Sequence, residues 1–178
     1  MASRCKIFAK GYGILTAVCL SLALIATSCG IYSFSGASID YTRVKSVSVQ
    51  YFQNRASIVQ PGLSQVMTDA LIDKCKAQTK LEIVGGIGDV NFEGEITDYN
   101  TRPLTVAADN LAAMNRFTIT VRVKYTNSAQ PEFNFEKSFS HYQDYNSNND
   151  LSQVEQNLVD IIIKLIVEDI FNTAFVNW

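Results

Sequence analysis

The chain has a single histidine in 178 residues, and only 18% of its residues are charged. One histidine leaves no room for a His-rich metal site or a His-pair acid–base system. Fifteen basic and seventeen acidic residues give a net charge of −2. That balance excludes a nucleic-acid binder that works through bulk positive charge. No internal repeat, charge block or low-complexity run interrupts residues 30–178. Glycines cluster at Gly85-Gly86-Ile87-Gly88, but no Lys-Ser/Thr follows them. Their spacing fits neither the Walker pattern nor the dinucleotide fingerprint, so a turn or bulge is the reading there. Four cysteines could staple a disulfide framework. Dividing the chain removes that option.

Arg4, Lys6 and Lys10 precede an uncharged run from Gly11 to Ser28 that is rich in Leu, Ala, Val and Ile. It ends at Ala26-Thr27-Ser28-Cys29-Gly30. A basic start, a short apolar run and small residues at its end describe a secretory signal. A cysteine just after the small residues resembles the lipobox of bacterial lipoproteins. Ala26 stands where that pattern prefers Leu. The resemblance implies cleavage before Cys29 and acylation of its thiol and new amino group. Removing 28 residues from 178 leaves 150. Twelve basic residues then face seventeen acidic ones, and the net charge moves to −5. Cys5 and Cys19 leave with the signal, Cys29 carries lipid, and Cys75 remains alone. One thiol forms no internal disulfide. Three acyl chains would hold a membrane more firmly than the marginal grip of one.

Residues 29–42 read as a lipidated tether and 43–178 as one domain. Val47, Val49 and Tyr51 alternate with Ser46, Ser48 and Gln50, which is a strand with one apolar face. Pro61 opens a helix with a stripe of Leu63, Val66, Met67, Ala70, Leu71 and Cys75. Cys75 on that stripe reads as a buried small hydrophobe. Val90, Phe92 and Ile96 form a second strand to Tyr99, with Gly94 marking a bulge or a close backbone approach. Thr101 to Met114 reads as an extended connection with a possible helical turn. Phe117, Ile119, Val121, Val123 and Tyr125 alternate with Arg116, Thr118, Thr120, Arg122, Lys124 and Thr126, giving one buried face and one wet, basic face. After a turn at Asn127 to Pro131, Phe133, Phe135 and Phe139 belong to a further strand that ends near His141. Ser152 and Glu155 fit a capping box for a last helix from about Gln153 to about Asn172. Its apolar face is unusually wide. The helix is either central, touching sheet and first helix together, or meets a partner, and the width favours the first. Phe171, Phe175 and Trp178 dock back onto the domain or are held by a partner.

The order is β-α-β-β-β-α. The fold class is α+β, with about four strands in a largely antiparallel or mixed sheet and two helices on one face. Catalysis finds little support. His141 reads as a hydrogen-bonded structural residue, and Ser138 and Ser140 have the opposite strand parity. Glu93 and Glu95 share a strand face and leave a carboxylate-pair hydrolase formally open. The reading is no enzyme, no cofactor and no metal.

Several segments taken together resemble a known family. They are Cys29-Gly30-Ile31-Tyr32-Ser33-Phe34-Ser35-Gly36, Gln60-Pro61-Gly62-Leu63-Ser64, Gly88-Asp89-Val90-Asn91-Phe92-Glu93-Gly94-Glu95-Ile96 and Asn115-Arg116-Phe117-Thr118-Ile119-Thr120-Val121. Ile170-Phe171-Asn172 and Asn177-Trp178 complete the set. In this order they resemble the LptE lipoproteins of lipopolysaccharide assembly, in the divergent form of Bacteroidetes-type outer membranes. The resemblance implies an outer-membrane lipoprotein that plugs and helps assemble the LptD β-barrel and assists lipopolysaccharide insertion. It implies lipidation at Cys29 and attachment on the periplasmic side. Gly30 is not the aspartate of inner-membrane retention, and no acidic cluster follows Cys29. Its partners would be an LptD-type barrel, lipopolysaccharide and the membrane, with no nucleic acid. Arg102, Arg116, Arg122 and Lys124 are the candidates for lipid A phosphates, since Arg and Lys pair well with them; the alternative is that they are solvated strand charges. The alternative is a periplasmic lipoprotein that binds another envelope ligand or scaffolds a different envelope complex.

Overall fold

The alternation from Phe117 to Tyr125 builds the central hairpin of the molecule. The computed structural model describes residues 39–104 and 114–176, all within one compact unit, Ser35–Trp178. The expected signal peptide, Cys29 and most of the expected tether lie outside the described residues, as do residues 105–113, Asn177 and Trp178. The strands are β1 (Ser46–Val49), β2 (Gln53–Asn54), β3 (Glu82–Ile83), β4 (Val90–Pro103), β5 (Met114–Asn127) and β6 (Phe135–Asn146). Helix α1 (Leu63–Gln78) follows β2, and α2 (Leu151–Phe175) follows β6.

The fold is α+β, as the order of elements implied. The sheet runs β3-β1-β4-β5-β6, with β2 also paired to β4. β1 lies parallel to β3 and β4, while β4, β5 and β6 are antiparallel. Two two-residue strands, β2 and β3, add to the four expected; each was too short to show a period. Helix α1 packs on β1, β2 and β3; α2 packs on β5 and β6; the helices touch each other. Both cover one sheet face. Among the described residues the other face carries no helix.

The first strand departs from simple alternation. Val49 pairs with Phe92 but Gln53 with Glu95, so four steps on one strand match three on the other. The extra residue is a bulge, and it reverses the phase of the side chains. Phe52 is therefore buried, and Tyr51, expected inside, is 58% exposed. Phe52 fills the space over Gly94, where an added β-carbon would meet its ring at 2.4 Å. A second bulge falls between Ile96 and Asp98, and it keeps Tyr99 facing inward opposite Ile119.

Further differences have local causes. Pro61 does not open α1. Pro61-Gly62 forms a turn in which Leu63 N–H donates to the Gln60 carbonyl at 3.4 Å, and Gly62 has φ +84°. A Pro-Gly pair with that angle is a type II turn, which only glycine closes without strain. Thr101 to Pro103 belong to β4 rather than to a connection, held by register with Asn115 to Phe117. Phe133 lies in a short 3₁₀ turn, Pro131–Phe133, outside β6. The Ser152–Glu155 capping box does not form. The helix starts at Leu151 after Asp150, and Glu155 instead accepts the Tyr99 hydroxyl.

Helix α2 is central. Leu158, Val159, Ile162, Ile163, Ile166, Val167, Ile170, Phe171 and Phe175 are buried, against both sheet and α1. Phe175 meets Phe92 edge-on at 5.8 Å, and Tyr125 at 5.9 Å. Phe171 and Phe175 thus dock onto the domain itself. Lys74 of α1 pairs with Glu168 of α2, and His141 Nε2 of β6 lies 2.7 Å from Asp169 Oδ2. These pairs fasten the last helix on both sides. Among the described residues no helix is long and apolar enough to cross a membrane.

Candidate functional site

The sheet face without helices is the candidate site. Strand parity places Asn91, Glu93, Glu95, Asp98, Asn100 and Arg102 of β4 on it. Thr126, Lys124, Arg122, Thr120, Thr118 and Arg116 of β5 lie opposite them, in that order. Glu136, Ser138, Ser140, Tyr142 and Asp144 of β6 continue the rows. All four basic residues picked from the sequence fall on this one face.

The structure also divides them. Arg122 pairs with Glu95 at 3.1 Å and Lys124 with Glu93 at 3.5 Å. Arg116 grips Asp144 with two hydrogen bonds of 2.8 and 2.9 Å, and its guanidinium lies 3.7 Å from the Tyr142 ring centre. The bidentate bond holds the Asp144 carboxyl below its ordinary range and raises Arg116. Arg102 faces Arg116 directly and has no ion-pair partner among the described residues. Among the described residues the face is therefore a ladder of three ion pairs, with Arg102 an uncompensated cation at its Pro103 end and Asp98 and Glu136 acids outside the pairs, rather than a uniformly basic surface. Glu93 and Glu95 act as its acidic partners. The carboxylate partners were hidden in the sequence, because cross-strand pairing depends on a hairpin register that alternation alone does not give.

Two depressions mark the face. One of about 340 Å³ includes Arg102, Arg116, Asn100, Thr118 and Ser140. The other, of about 580 Å³, lies between Tyr51, Ile87 and the rungs Glu93–Lys124 and Glu95–Arg122. Tyr51 is the residue that sequence reasoning placed on the wrong side.

The remaining candidates are structural. Cys75 is fully buried, and burial pushes its thiol up to about 12. His141 is bonded to Asp169, while Ser138 and Ser140 face the other way. The glycine segment is a bent connection between β3 and β4 that runs close to β1: a β-carbon on Gly88 would meet Ser48 N and Val90 O at 3.0 Å. Asp89 ends it by accepting the backbone N–H groups of Lys45 and Ser46 at 2.9 and 3.0 Å, which lowers its carboxyl.

The family model for LptE, described as lipopolysaccharide-assembly, matches residues 44–174. The chain belongs to the LptE family. The match spans the sheet and both helices. LptE proteins are a non-enzymatic accessory family of envelope lipoproteins in lipopolysaccharide assembly, and this chain shares that broad role. No curated protein matches it in sequence. Two solved structures share the fold, and a third is similar at a lower score. A hypothetical protein from Chlamydia trachomatis has a TM-score of 0.50 at 10% identity, covering 75% of this chain and 99% of its own. A putative neuraminyllactose-binding hemagglutinin homolog from Helicobacter pylori has a TM-score of 0.50 at 8% identity, over 79% and 87%. A minor lipoprotein from Acinetobacter baumannii has a TM-score of 0.48 at 14% identity, over 74% and 94%.

Proposed function

We propose that this LptE family member is an outer-membrane lipoprotein on the periplasmic side. Residues 1–28 are its signal peptide, Cys29 its acylated residue and 29–42 its tether. The domain that follows plugs and helps assemble an LptD-type β-barrel and assists lipopolysaccharide insertion into the outer leaflet. One observation carries this reading beyond family membership: among the described residues no helix covers this sheet face, which is polar and holds three cross-strand ion pairs. Barrel interiors are polar, so a polar face with most of its cations already paired suits one.

Lipopolysaccharide phosphates would contact the basic residues of this face. Arg102 is best placed, because no carboxylate among the described residues occupies it. Arg116 stands opposite it. Arg122 and Lys124 would have to share their glutamates. Depleting the chain in its own bacterium tests the reading. The expected result is less lipopolysaccharide in the outer leaflet and a barrel that fails to mature. Normal surface lipopolysaccharide and a mature barrel after depletion would contradict it.

A further inference from the structure

We infer that the cleft beside Tyr51 binds a neutral oligosaccharide. This deepens the lipopolysaccharide reading and rests on it for the source of the sugar. Three observations select the ligand.

The first is the bulge. By alternation Tyr51 would follow Val47 and Val49 into the core, and the extra residue turns it outward instead. Bulges commonly re-aim a side chain. Tyr51 borders the cleft together with Ile87, which is 89% exposed. Small-ligand sites combine apolar and aromatic side chains with a few placed polar groups. The cleft, at about 580 Å³, lies within the range of roughly 300–1,000 Å³ for small-ligand sites.

The second is charge. Lys124 and Arg122 are already paired with Glu93 and Glu95, and Glu136 adds a further acid to the rim. An anion can only share those cations with their glutamates and must also approach Glu136, so it gains little in the cleft itself. Hydroxyl groups both donate and accept, so they can join those pairs without displacing either member. Bonds from hydroxyls to ionised partners are the stronger kind.

The third is the mixture of planar groups. Gln53 accepts Arg55 at its Oε1 at 2.8 Å, and its amide nitrogen has no protein partner among the described residues. A pyranose ring offers a C–H face suited to the Tyr51 ring and a rim of hydroxyls suited to Gln53 and the ion pairs. A purely apolar ligand would leave those pairs unused.

The test uses the full chain in detergent and two lipid-free probes. One is core oligosaccharide released from the bacterium's lipopolysaccharide, dephosphorylated and carboxyl-reduced so that it is neutral; the other is a dextran oligomer. Binding is read by calorimetry and saturation-transfer NMR. The core oligosaccharide should bind, and Tyr51→Ala should weaken it about tenfold. Gln53→Ala should weaken it less, and Lys164→Ala, on the exposed side of α2, not at all, with circular dichroism unchanged in each. No binding of either probe to the folded chain would overturn the inference, as would Tyr51→Ala binding like wild type. Dextran binding as tight as the core's would support a sugar site and overturn its tie to lipopolysaccharide. Recovery of a barrel partner is scored separately, so sugar binding without a barrel sinks only the assembly reading.

Discussion

The Phe52 ring lies over Gly94 so closely that a β-carbon on the glycine would sit 2.4 Å from its Cε1 and 2.6 Å from the Arg122 carbonyl oxygen. Phe52 N–H donates to Thr68 Oγ1 of α1 at 3.1 Å, so the contact ties the bulge to the first helix. Gly94→Ala must displace the ring or the strand, at about 1–3 kcal/mol. Phe52→Ala alone leaves a cavity and costs about 3–5 kcal/mol. The double variant should cost less than the two added together, because the alanine occupies part of the emptied space. Chemical denaturation of the three variants measures this; strict additivity would refute the contact.

Acid should loosen the β1–β4 junction through Asp89. Its carboxyl is lowered by backbone N–H donation from Lys45, by the Ser46 hydroxyl and by the Ser46 N–H. A group whose folded pKa is depressed contributes stability that is present above the unfolded value of about 3.9 and is lost as pH falls through the folded one. Asp89→Asn should lower the melting temperature at pH 7 and reduce the loss between pH 5 and acid. An unchanged pH profile would remove Asp89 from this role.

Arg102 and Arg116 face one another across β4 and β5. Like charges directly opposite weaken a strand pair. Arg102→Glu replaces repulsion with attraction, so the melting temperature should hold or rise. Capture of lipopolysaccharide should nevertheless fall, since the uncompensated cation is gone. The paired change Arg122→Glu with Lys124→Glu should also weaken capture, with a loss of stability from opposing Glu95 and Glu93. Unchanged capture by folded variants would reject these residues as phosphate contacts.

Cys75 supplies a probe of opening. Burial raises its thiol to about 12, and no solvent reaches it. The protonated, enclosed thiol is a poor nucleophile. Maleimide labelling at pH 7 should be slow in the native chain and prompt in denaturant. Prompt native labelling would place Cys75 outside the core.

Features set by one strand or one helix were legible in the sequence. The inward row Phe117 to Tyr125, the α1 stripe with Cys75 and the bonded His141 all follow from local period and residue chemistry. Features set by a partner strand were not. The bulge at Gln50-Tyr51 exists because β1 and β2 must both register with β4, and nothing in Val47-Ser48-Val49 announces it. Gly94 was the hint, since it marked a close approach without naming Phe52 as the occupant. The same holds for the site. Parity put Arg102, Arg116, Arg122 and Lys124 on one face, but their pairing with Asp144, Glu95 and Glu93 needed the register. Glu155 illustrates the converse: its spacing from Ser152 matched a cap, and the Tyr99 hydroxyl won it instead.

Barrel partnership is tested most directly by affinity capture of the intact, tagged chain from detergent-solubilised membranes, with quantitative mass identification of what comes with it. One large outer-membrane β-barrel in stoichiometric amount is the expected result. Recovery of the folded, lipidated chain with no barrel would contradict it.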